Sequence, residues 1–284
     1  MPALRQRLLI ATLILPPGLL CIWIGGWLFL IVVLIFFLPA AFEYTQMMRK
    51  AGHRPALLVV LGGVLTLVLA QSIPVLLVGF QPSAALVTGG ALTLMLTLAL
   101  TWHLVDYERG AATAGTDWAI TVAGMVYLGW MAGYAMLIRA LPDGRQWMFI
   151  VLGCIWLADT GAYVVGKRWG RRPLAPRLSP KKTWEGFVGG LLWAMGFGML
   201  FGAIGSMSAP QGSAVGIGSG AVIGFMMGLA GTLGDLGISM FKRQVGLKDT
   251  SNVLGAHGGI LDRIDSWIVA MPLAYFAIRL FFPV

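Results

Sequence analysis

Across 284 residues the chain is 58% hydrophobic and only 11% charged, with a mean hydropathy of +0.84 and a formal net charge of +9. A soluble domain does not cover its surface with so few charges, and the apolar runs leave no room for a separate soluble domain. The composition describes an all-α integral membrane protein, and the positive balance points to anionic lipid head groups and nucleotides rather than to nucleic acid.

In chain order, the apolar runs predict nine spans, near residues 8–25, 27–42, 56–71, 84–102, 118–138, 147–165, 187–205, 215–233 and 266–282. Arg5 and Arg7 precede the first, which reads as a retained span rather than a cleaved signal. The second admits a re-entrant hairpin as well as a full span, because Gly25-Gly26 is a short connection and Pro39 falls inside the run. Cys21 and Cys154 lie in apolar runs and read as buried thiols. The 39 glycines, about twice the usual frequency, point to close helix packing.

The loops set an orientation. Arg49, Lys50 and Arg54, the seven basic residues from Lys167 to Lys182, and the segment 235–265 all fall on one side, which should be cytoplasmic. The loops near 72–83 and 206–214 carry no charge, and Arg139 with Arg145 is the one basic exception.

Four places carry chemistry. Asp159 lies within the sixth span, where a carboxylate is expensive and functional by default. Residues 167–186 predict an irregular basic loop in which Ser179 caps a helix and Pro180 takes its first position, so that Lys181, Lys182 and Thr183 would converge with free backbone N–H groups on one phosphate. A loop that merely fixes topology is the plainer alternative. In the eighth span Gly216, Gly220, Gly224 and Gly228 recur every four residues, a stripe that serves an internal helix pair or a homodimer. The fourth place is the segment 239–265 with Asp235. Asp235, Ser239 and Lys242 share a face if helix runs past the membrane edge, Asp262 and Asp265 share one at the start of the last span, and Gly258-Gly259 suits a sharp turn or close approach to a ligand.

Ser239-x-x-Lys242-Arg243, Lys248-Asp249, His257-Gly258-Gly259 and Asp262-Arg263-x-Asp265 resemble the signature of the phosphatidate cytidylyltransferases, the CDP-diacylglycerol synthases. Asp159-Thr160-Gly161-Ala162-Tyr163 and Ser179-Pro180-x-Lys182-Thr183 are similar to the family's upstream motifs, so the resemblance covers about residues 150–284. It divides the chain into N-terminal membrane helices (1–145) and a C-terminal catalytic region (146–284) carrying the signature.

The resemblance implies that CTP and phosphatidic acid give CDP-diacylglycerol and pyrophosphate with magnesium, at a polar site facing the cytoplasm from the inner membrane. Hard oxygen ligands suit that ion, and Asp235 and Asp262 lead as its holders, followed by Asp159 and Asp265. A second cation is in keeping with two-metal clamps. Lys182, Lys242, Arg243 and Lys248 would neutralise phosphates, with Ser179, Lys181, Thr183, Ser239, His257, Gly258, Gly259 and Arg263 lining the nucleotide. His257 is not needed as a base, since a phosphate monoester is already anionic at neutral pH. Trp184 reads as an interfacial anchor. Two other readings stay open here: an ion path along Asp159, Asp235 and Asp262, and an enzyme of the same kind acting on a different lipid phosphate.

Overall fold

The structure is a computed structural model that describes residues 16–77, 79, 82–251 and 258–283. Arg5, Arg7 and His257 lie outside the described residues, as does the beginning of the first expected span. Residues 16–24 are helical and form α1. Eight further helices among the described residues are long and apolar enough to cross a membrane. This is a multi-pass, all-helical membrane protein.

The chain forms two compact units, residues 1–137 with 244–264 and residues 138–243 with 265–284. The segment that the sequence singles out is therefore shared between them.

In the first unit α2 runs unbroken over Gly26–Lys50 with Pro39 inside it, so the second apolar run is a full helix and not a hairpin. Gly25 and Gly26 both take positive φ, which lets α1 and α2 be separate helices with no intervening loop. α3 (Leu57–Leu76) packs against α2 and α4 (Ala84–Glu108). Ser83 caps α4 by accepting the Leu86 N–H at 3.2 Å. Thr93, Thr97 and Thr101 are exposed on α4, and each hydroxyl donates to the carbonyl four residues earlier at 2.9 Å, leaving no bare polar group toward lipid.

The fifth span is not a regular helix. α5 (Ala114–Met125) widens into a π turn at Val126–Trp130 before α6 (Met131–Ala140). At that turn Gly129 lies against the Val64 backbone, and the Trp130 carbonyl accepts from the buried Gln71 Nε2 at 2.8 Å. The turn shifts the helical register where a polar side chain must be satisfied inside the membrane.

The second unit is built on α7 (Gly144–Trp169), α8 (Trp184–Ser208), α9 (Ile217–Gln244) and the body of α10 (Leu261–Phe281). α7 and α8 pack through glycines: a Cβ on Gly189 would strike Val165, one on Gly190 the Ala158 carbonyl, and one on Gly161 the Trp193 side chain. The α9 stripe closes on a matching stripe of α8. Gly220 faces the Gly198 carbonyl and Gly202, while Gly224 faces Ala194. Of the two uses the sequence allows, the internal helix pair is the one built. Backbones come this near only without side chains, and dispersion plus close packing then holds the pair in lipid.

Between α7 and α8 the expected irregular loop is a two-stranded antiparallel hairpin, β1 (Pro173–Ala175) with β2 (Ser179–Thr183). Ser179 is therefore no helix cap and Pro180 opens no helix. The cap is Thr183, whose Oγ accepts the Gly186 N–H at 3.1 Å as α8 begins at Trp184. Pro173 in β1 and Pro180 in β2 are compatible with a short two-stranded ribbon, where a missing N–H can face outward.

Candidate functional site

Each unit carries a polar cluster. In the second unit, Asp235 sits nine residues before the end of α9, because the helix continues past the apolar stretch to Gln244. Ser239, one turn on, donates its hydroxyl to Asp235 Oδ1 at 3.3 Å, and Lys242 stands two turns on, with both Ser239 and Lys242 buried. This is the shared face that the spacing predicts.

β2 brings Lys182 to the same place, where its Nζ pairs with Asp235 Oδ2, both side chains being about 30% exposed or less. Asp159, ten residues from the end of α7, feels the charges of Lys182 and Asp235. Asp265 of α10 feels Asp235, Asp159 and Lys242. Gly234 is what admits α10, since a Cβ there would collide with the Asp265 carbonyl. Three carboxylates and two lysines from four different elements, α7, β2, α9 and α10, thus gather where helices end. Gathering so much charge at the end of apolar spans is costly unless the groups neutralise one another or a ligand.

Arg243 belongs beside this cluster: its Nε donates to the Leu178 carbonyl at 3.2 Å, tying the end of α9 to the hairpin turn. Lys181 does not join in. Successive strand residues point to opposite faces, so Lys181 is exposed while Lys182 turns to Asp235. Thr183 is engaged in capping, and Ser179 pairs with Ala175. The convergence of all four on one anion is not what the hairpin builds.

The first unit holds a cluster that sequence reasoning missed. Glu43 of α2 is only 3% exposed. Its Oε1 accepts from Ser251 Oγ at 2.6 Å and the Ile260 N–H at 2.9 Å. Its Oε2 accepts from Thr250 Oγ1 and the Leu261 N–H, each at 2.9 Å. A buried carboxylate with four donors is well compensated, and two of them are backbone N–H groups at the start of α10 that no helix interior can satisfy.

Asp262 supports the same loop. Its Oδ2 accepts from the Thr250 N–H at 2.9 Å and the Gly259 N–H at 3.1 Å, and it shares with Glu43 Oε2 the single hydrogen of the Thr250 hydroxyl, which lies 2.9 Å from each. Gly258 takes φ +74°, and a Cβ on Gly259 would collide with Thr250 Oγ1 and the Glu43 carboxylate. The glycine pair does make a sharp turn, and the group that Gly259 approaches is this chain's own Glu43. Lys248, Asp249 and Arg263 are exposed around it. Glu43, the one acid of α2, was the available signal.

Among the described residues, no three Asp, Glu, His or Cys side chains lie close enough to hold a metal by themselves. Magnesium seldom asks for that: it keeps waters and takes one or two carboxylates plus substrate phosphate oxygens. Asp235 with Asp159 and Asp265 gives hard oxygens beside lysines placed for phosphate, a donor set that fits an ion arriving on a polyphosphate.

The sequence profile of the cytidylyltransferase family matches residues 5–281. The phosphatidate cytidylyltransferase of Bacillus subtilis (strain 168) is 39% identical over 163 residues, which is 57% of this chain and 58% of that protein. That of Synechocystis is 41% identical over 145 residues, covering 50% of this chain and 46% of its own length. The corresponding protein of Haemophilus influenzae is 41% identical over 128 residues, covering 43% and 42%. The chain spans about half the length of the curated relatives it matches.

Proposed function

The chain belongs to the cytidylyltransferase family, and on that premise we propose that it transfers the cytidylyl group of CTP to phosphatidic acid, giving CDP-diacylglycerol and pyrophosphate. The observation that carries this reading is the meeting of Asp159, Asp235 and Asp265 with Lys182 and Lys242 at the polar ends of membrane helices. A lipid phosphate and a soluble nucleotide can meet only at head-group depth. Family membership also speaks against the ion path, which would need polar residues through the whole bilayer.

An oxygen of the lipid phosphate attacks the α-phosphorus of CTP; the new P–O bond forms as the bond to the β-phosphate oxygen breaks and pyrophosphate departs. The attacking monoester, with a second pKa near 6, is largely dianionic at neutral pH and needs no general base. Positioning and charge neutralisation are what remain for the protein. Lys182 and Lys242 approach from opposite elements, so between them they can hold a polyphosphate against Asp235, with Arg243 at the hairpin edge. Ser239 fixes the Asp235 carboxylate. Asp262, the other lead metal candidate of the sequence, has its carboxylate taken up by the Thr250 and Gly259 N–H groups of the loop before α10, on which Lys248 and Arg263 are exposed.

Magnesium would take Asp235 with at most one neighbouring carboxylate, Asp159 or Asp265, and complete its shell with water and substrate phosphate oxygens, and it would supply neutralisation of the phosphate charge; a second cation would have to arrive with the nucleotide. The basic hairpin argues for this end of the spans facing the cytoplasm, in the inner membrane of a bacterial cell.

The test is formation of CDP-diacylglycerol from labelled CTP by purified protein in mixed micelles with phosphatidic acid and magnesium. Product should require both substrates and the metal, and Asp235→Asn should abolish it while the protein stays folded. Turnover by that variant at the normal rate would remove Asp235 from the site; turnover only with another lipid phosphate would change the acceptor.

A further inference from the structure

On the flank of the α7/α8 pair lies an open groove of about 790 Å³, within the size range of small-molecule sites. Its walls are Val165 of α7 and Val188, Leu192 and Trp193 of α8, with Gly189 as floor, while Arg172, Trp184 and Glu185 stand at one end. From Trp184 to Trp193 the groove follows nine residues of α8, roughly 13 Å, close to the depth of one leaflet's hydrocarbon. We propose that this groove binds one phosphatidic acid molecule from the adjacent leaflet, an acyl chain along α8 and its phosphate on Arg172. The proposal rests on the cytidylyltransferase reading and names where that reaction's lipid is captured.

Charge and geometry select this occupant. Arg172 is exposed, and among the described residues no hydrogen bond or ion pair ends on its guanidinium. Glu185 lines the same end and feels the Arg172 charge, but its Oε2 is held by the backbone N–H groups of Arg171 and Arg172 at 3.0 and 3.2 Å rather than by the guanidinium. A planar guanidinium grips a phosphate through two parallel hydrogen bonds, and a monoester offers three oxygens and more charge than a diester.

The groove also leads somewhere useful. The Trp184 N–H donates to the Arg172 carbonyl at 2.9 Å, so the head-group end is bonded into the hairpin whose β2 carries Lys182 to Asp235. A lipid seated here waits on the element that serves the reaction.

The experiment reconstitutes the full chain in phosphatidylcholine nanodiscs and reads quenching of its tryptophans by dibrominated lipids. For the unaltered protein, dibromo-phosphatidic acid should reach half its quenching at a mole fraction at least about threefold below that of dibromo-phosphatidylcholine or dibromo-phosphatidylglycerol. Arg172→Gln should remove that preference. Val188→Phe, which fills the groove from an exposed position, should reduce quenching by phosphatidic acid. Equal quenching by all three lipids, a phosphatidylglycerol curve that matches phosphatidic acid, or an undiminished preference in Arg172→Gln would each overturn the proposal. A kinetic arm separates it from the function itself: Arg172→Gln should raise the apparent KM for long-chain phosphatidic acid at least about threefold, and by less for a water-soluble dihexanoyl substrate. A quenching preference without any turnover would sink the cytidylyltransferase reading and keep the groove. Turnover without the preference would do the reverse.

Discussion

Glu43 of α2 accepts the backbone N–H of Leu261, 218 residues later, at 2.9 Å, and so fixes the point at which α10 begins. Together with Ile260, Thr250 and Ser251, this makes one buried carboxylate an anchor for both described ends of the segment that leads into α10. Glu43→Gln tests it. The amide keeps one acceptor oxygen and turns an NH2 toward groups that are themselves donors, so about 2–4 kcal/mol should be lost. Hydrogen exchange at the Ile260 and Leu261 amides should accelerate, and thermal stability in detergent should fall. Unchanged protection of both amides would show that the loop is held by something else.

The two adjacent glycines should respond differently. Gly258→Ala meets a positive φ of +74°, which costs about 1–2 kcal/mol for a residue with a Cβ. Gly259→Ala drives a methyl group into Thr250 Oγ1 and the Glu43 carboxylate and cannot be absorbed by a small torsional change. The expected order of melting temperature is unaltered protein, then Gly258→Ala, then Gly259→Ala, measured by tryptophan fluorescence. The reverse order would refute this packing.

How much of this was legible beforehand follows from what kind of information each feature needs. The spans are written in hydropathy, and α2 to α10 fall where apolar runs place them. Spacing on one helix is equally readable, so Asp235, Ser239 and Lys242 share a face as expected. The hairpin was not legible, because Ser179-Pro180 is a good helix-start signal and only pairing with Pro173–Ala175 makes it a strand. Glu43 was silent for a similar reason. Its meaning lies in partners more than 200 residues away, and an isolated acid in an apolar helix names none of them. The π turn at Val126–Trp130 answers to Gln71 on another helix and has no local cause.

The α8/α9 contact gives a prediction with an internal control. Gly220→Leu and Gly198→Leu insert bulk where each glycine faces the other's carbonyl, and even a single extra methylene in a tight contact costs about 1–3 kcal/mol. Gly218→Leu lies on the same helix with nothing within 4 Å of its Cβ position. The first two should melt at lower temperature and elute as broadened species on size exclusion; the third should behave like the unaltered protein. Equal tolerance at all three positions would mean the stripe does not carry the pair.

The Lys182–Asp235 pair makes the sharpest claim about the proposed site, because each partner's loss strands the other. Lys182→Met leaves Asp235 without its partner and Asp159 without the lysine charge it feels. Asp235→Asn leaves Lys182 facing a neutral amide. If both act on the same polyphosphate, each single change should reduce CTP turnover by about 100-fold or more, corresponding to roughly 2.7 kcal/mol of transition-state stabilisation. The double variant should be little worse than either, since residues that work as a unit are not additive. Initial rates over a range of CTP concentrations would decide it: losses that multiply in the double variant would show the two residues acting independently, with the ion pair serving only to hold β2 against α9.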